Sequence, residues 1–177
     1  MIRELSANIK STNKNATVAF YALLGASAAI FVLYFLIDRY KGIVGLIGIV
    51  FITMAVLIYT KYIGAEYYYD VTFDSSGGAV FVVRQIIGKR QSTLCRIGLS
   101  EISRVERESA EDRRKHVTPV GCRKYVYTPT LFPGDTYRIY SRSYYESCEI
   151  IVEINDSWAD MLREYAKEAR ELENLEE

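Results

Sequence analysis

The chain has 177 residues, half of them hydrophobic by type, and 22 basic side chains balance 22 acidic ones. The balance is uneven: residues 1–60 hold 5 Lys/Arg against 2 Asp/Glu, and residues 61–177 hold 17 against 20. An acidic second part lacks the cationic surplus that neutralises phosphates, which argues against general nucleic-acid binding and against a purely electrostatic hold on anionic lipid.

Residues 1–15 read as an N-terminal tail carrying Arg3, Lys10 and Lys14. Two uncharged apolar runs follow, 16–37 and 42–60, separated only by Asp38, Arg39, Tyr40 and Lys41. An apolar helix of that length rises about 30 Å, the thickness of a bilayer's hydrocarbon core, so 16–60 is expected to form a transmembrane hairpin of two spans. Ala26-Ser27-Ala28 resembles a signal-peptidase site, but the apolar run continues past it to Phe35, which favours a lasting anchor over a cleaved leader. Arg3, Lys10, Lys14 and Lys61 flank the two ends of the hairpin, against Arg39 and Lys41 at its turn. That bias predicts both termini in the cytoplasm of an inner or plasma membrane. Tyr34, Tyr40, Tyr59 and Tyr62 fit interfacial aromatic belts. Ala22, Gly25, Ala26 and Ala29 in the first span, and Gly42, Gly45 and Gly48 in the second, would let the helices approach closely. The same small residues offer a homodimer face. Neither span carries an ionisable side chain that could serve a proton or ion path.

Residues 61–65 form a short linker, and 66–177 are long enough for one small domain with its own core. Residues 66–74 alternate, with Tyr67, Tyr69, Val71 and Phe73 on one face of a strand. Ser75, Ser76, Gly77 and Gly78 make a turn into a second strand over 79–87. Gly88-Lys89 connects tightly to a third over 90–97. Ile102 and Val105 mark a strand end that runs into a charged, solvated loop over 106–115. Strands are expected at 124–128 and 136–142, parted by a loop with Pro129, Pro133 and Gly134, and at 149–154. The period then changes: Trp158, Met161, Leu162, Tyr165, Ala169 and Leu172 fall at helical spacing behind the N-cap candidates Asn155, Asp156 and Ser157. Ser157 and Asp160 have the spacing of a capping box.

Cys95, Cys122 and Cys148 are odd in number and widely spaced, matching reduced thiols on strands rather than a zinc site or a disulfide framework. His116 is the chain's one histidine and has no partner visible in sequence, so it reads as non-catalytic. Lys89 and Arg90 in a turn, and Arg113, Arg114 and Lys115 in the charged loop, are the cations that could meet anionic headgroups. Tyr125, Tyr127, Tyr137 and Tyr140 read as core and sheet surface. Leu131 and Phe132, flanked by prolines, are an exposed apolar pair suited to a partner or a bilayer surface.

About seven short strands followed by one amphipathic helix resemble the pleckstrin-homology-like (PH-like) fold, a bent antiparallel β-barrel plugged by its last helix. The stretch 97–105 and the strand-to-helix run 150–165 carry the likeness. With the N-terminal hairpin, the chain looks like the bacterial membrane proteins that carry a PH-like domain, in the α+β class. That resemblance implies a binding or assembly module and transfers no catalytic residue. In PH domains that hold inositol phosphates the loop between the first two strands is basic; here residues 74–78 hold no cation. The expected function is a membrane-anchored, non-enzymatic module engaging a protein partner or itself. The alternative is a reader of anionic lipid at the inner leaflet. No cofactor, metal or nucleic acid is expected.

Overall fold

A computed structural model describes residues 5–9, 13–37, 39–75, 77–142 and 147–176. In chain order the elements are β1 (Leu5–Ile9), α1 (Lys14–Leu36), α2 (Lys41–Ile58), a π-helical turn (Tyr59–Ile63), β2 (Ala65–Phe73), β3 (Ala79–Ile87), β4 (Arg90–Gly98), β5 (Ile102–Glu108), α3 (Ala110–Lys115), β6 (Cys122–Tyr127), β7 (Thr136–Arg142), β8 (Ser147–Val152) and α4 (Asp156–Glu176). They fall into two compact units. One holds the helical pair with Thr130–Phe132; the other holds the N-terminal strand, Glu66–Pro129 and Pro133–Glu177.

In the helical unit, α1 and α2 pack antiparallel as neighbours along the chain. Both are apolar on every side, and Val18, Phe35, Leu36, Ile43, Leu46, Ile49 and Leu57 stay exposed. A soluble bundle would bury such a surface, so these are helices long and apolar enough to span a membrane. Their contact uses Ala16 and Ser27 from α1 and Gly48 and Ala55 from α2, all buried. Ser27 Oγ donates to the Gly48 carbonyl at 3.3 Å. The small-residue side expected for α1 is different: Ala22, Gly25 and Ala29 face outward. On α2, Gly45 lies under Tyr34 and Gly48 under Phe31 and Ile30, whereas Gly42 meets nothing.

The β unit is built from two four-stranded sheets, ordered β1-β2-β3-β4 and β5-β7-β8-β6. They are open sheets, which corrects the expected closed seven-stranded barrel. The difference has two sources. Residues expected as a tail supply β1, which pairs antiparallel with β2 from Leu5↔Val71 to Ile9↔Tyr67. And β6 lies parallel to β8, Cys122↔Ser147 through Tyr127↔Val152, which ends the antiparallel run. The sheets are tied together by tyrosines: Tyr69 Oη donates to Tyr127 O at 2.6 Å, and Tyr127 Oη to Leu94 O at 3.1 Å.

The core joins Tyr69, Val71, Phe81 and Val83 of the first sheet to Val105, Ile139, Ile150 and Val152 of the second, under Trp158, Leu162 and Ala166 of α4. The last helix touches both sheets: Trp158 sets its ring edge on Phe81 at 5.7 Å, and Arg163 Nε donates to Val105 O at 2.9 Å. Asn155 is the residue that starts it, accepting from Trp158 N at 2.7 Å. The capping box forms elsewhere, between Ser109 and Asp112 at the start of α3, and turns the expected solvated loop into a short helix. Leu172 and Leu175, late in α4, are exposed. Burial, with Cys148 close by, pushes the Cys95 thiol up to about 12 and keeps it from ionising.

Candidate functional site

The strongest concentration of chemistry lies on one face of the second sheet. Alternation along β5, β7 and β8 puts Glu108, Thr136, Arg138 and Glu149 on the same side, because neighbouring strands place diagonal residues within reach of a long side chain. Glu149 is 0% exposed, Arg138 2% and Glu108 4%, so three formal charges are withdrawn from water together. Arg138 bridges them, one guanidinium nitrogen on Glu149 and another on Glu108. A buried charge survives only when paired and hydrogen-bonded, and this fork supplies both conditions.

The segment α3 to β6 covers that face. Its His116 Nε2 lies 3.0 Å from Glu149 Oε1, and Thr118 Oγ1 donates to Glu149 Oε2 at 3.2 Å. Arg113 reaches across to the next loop, donating to Pro133 O at 3.2 Å, Gly134 O at 2.8 Å and Thr136 Oγ1 at 2.9 Å. Its Nε faces the second Glu108 oxygen at 3.7 Å. Two arginines thus stand against two carboxylates, and the network neutralises itself.

What the network does is hold a loop. His116 and Thr118 are anchored inward, while Val117 between them is 84% exposed and Val120, three residues after it, is fully exposed. A mobile loop would average its side chains over many positions; this one is fixed at three points and presents its valines outward. Phe132, in the helical unit, is 71% exposed, and Leu131 beside it is half-buried.

The cations singled out in the sequence separate into two groups. Arg113 is committed to carbonyls and to the network, whereas Arg114, Lys115, Lys89 and Arg90 are exposed. Among the described residues no group of three or more His, Cys, Asp or Glu is placed to hold a metal ion. Sequence reading missed Glu108, Thr118, Arg138 and Glu149. The signal was present in the strand 136–142, where Arg138 sits among Tyr137, Ile139 and Tyr140, and in Glu149 directly before an Ile-Ile-Val run. His116 looked unpartnered because its partner lies 33 positions away.

No protein-family model matches the chain, and no curated protein or solved structure is significantly similar to it. What the chain does must therefore be argued from its own residues.

Proposed function

We propose that this chain is a membrane-anchored, non-enzymatic binding module whose β unit engages a protein partner or a second copy of itself. The observation that carries the reading is the fixed display of Val117 and Val120 above a fully buried Arg138–Glu149 pair. An apolar contact held in place before binding gives up little conformational freedom when the partner arrives, so each buried ångström counts for more. A second apolar contact is offered by exposed Phe132 with half-buried Leu131, which group with the helical unit. The two apolar helices are the anchor, and the excess of basic residues at their outer ends supports termini in the cytoplasm of an inner or plasma membrane. The last helix bridging both sheets supports a PH-like reading of the β unit; the parallel β6–β8 pair departs from it.

The test uses the full chain extracted in mild detergent. The double variant Val117→Ser/Val120→Ser should lose a stoichiometric co-purifying partner, or its own dimer by light scattering, while its thermal transition stays unchanged. The corresponding Leu131→Ser/Phe132→Ser variant tests the second contact. Partner content and mass identical in wild type and both variants would overturn the reading.

A further inference from the structure

One end of the first sheet is where the chain enters and leaves the helical pair. β1 stops at Ile9, with four residues between it and α1, and β2 starts at Ala65, one residue, Gly64, beyond the π-helical turn. Ile9 pairs with Tyr67, so both connections leave from the same end of the sheet. The β2–β3 hairpin brings a third strand back to that end. Asp74 N donates to Gly78 O at 2.8 Å, which fixes the hairpin register, and Gln85 Nε2 donates to Tyr67 Oη at 3.0 Å along the same register. Counting along the ladder puts Ile87 level with Ala65.

Ile87 pairs with Arg90 across a two-residue turn, Gly88-Lys89. Gly88 has φ +61° and Lys89 does not enter the left-handed region, the arrangement of a type II′ turn, which needs glycine first. A tight turn of this kind holds its neighbours rigidly. Ile87, Lys89 and Arg90 are all exposed there. Charge pairing marks the tip out from the rest of its hairpin. Arg84 is bound to Asp70 at 2.5 Å and Arg96 to Asp74 at 2.7 Å, but among the described residues neither Lys89 nor Arg90 has an acidic partner.

We propose that this hairpin tip is a lipid-contact site: Lys89 and Arg90 bind the phosphates of anionic headgroups, and Ile87 rests against the interface. The proposal builds on the membrane-anchored reading, because only Gly64 lies between the last helical turn and Ala65, so the chain itself tethers this strand end to the second span. Two cations confined there need no high intrinsic affinity, since the anchor supplies the local concentration.

The experiment places the full chain in nanodiscs of phosphatidylcholine alone and in nanodiscs with phosphatidylglycerol added, and follows amide hydrogen exchange over residues 84–93. Exchange at the tip should slow several-fold in the anionic discs, recover in high salt, and not respond to lipid charge in Lys89→Gln/Arg90→Gln. Equal exchange in both discs, or slowing that persists in the variant, overturns the proposal. Alkaline carbonate washing of native membranes separates the two levels of failure. A chain that washes off removes the anchor and this site together; a retained chain with an indifferent tip removes the site alone.

Discussion

Deleting the Arg138 guanidinium would leave Glu108 and Glu149 facing each other in a space closed to water. Such a deletion costs about 3–5 kcal/mol, because the two buried carboxylates lose the cation they share and keep only Arg113 at 3.7 Å from Glu108 and the His116 and Thr118 contacts to Glu149. Arg138→Ala should therefore lower the urea midpoint of the β unit sharply. Fluorescence of Trp158 reports it, as the chain's one tryptophan and packed on Phe81. Replacing Glu108, Arg138 and Glu149 together with apolar residues of similar size should recover most of that loss, since an ion cluster compensates its own desolvation only in part. A triple variant as unstable as Arg138→Ala would show that the charges stabilise beyond their mutual pairing. The strand carrying Arg138 was readable from sequence, and its partners were not. Strand alternation says which residues share a face within one strand; it does not say which strand lies alongside.

The two helices announce themselves by length and hydropathy, and Gly45 and Gly48 of α2 lie in their contact as expected, yet the face expected for α1 is not the one that meets α2. A helix apolar all round carries no amphipathic signal, and small residues appear on several of its sides. On α1 the contact follows a spacing of four and three, Ser27, Phe31 and Tyr34, which meet Gly48 and Gly45 of α2. A Cβ at Gly48 would stand 3.3 Å from Phe31, while Gly25 has nothing within 4 Å. Gly48→Leu should accordingly push the helices apart and lower the thermal transition of the full chain in detergent. Gly25→Leu should leave it unchanged or raise it slightly through helix propensity. Equal effects at the two positions would place the helix contact elsewhere. The short helix α3 makes the complementary point: charge density over 106–115 pointed to a loop, and the Ser109–Asp112 capping box that makes it a helix was not read.

At the scale of the molecule, the least legible feature is β1. Five residues with no hairpin turn beside them give no local reason to form a strand, and the partner lies about sixty positions downstream in sequence. Only the intervening antiparallel helices bring β1 and β2 together. That connectivity constrains topology independently of charge. Two chain ends that share a ladder of hydrogen bonds must lie on one side of any membrane the helices cross. A protease site inserted ahead of Leu5 and another placed after α4 should therefore be cut from the same face of sealed vesicles. A third, lengthening the turn at Tyr40, should be cut only from the opposite face. Cleavage of the two end sites from opposite faces would mean that the β1–β2 ladder does not form in the inserted chain.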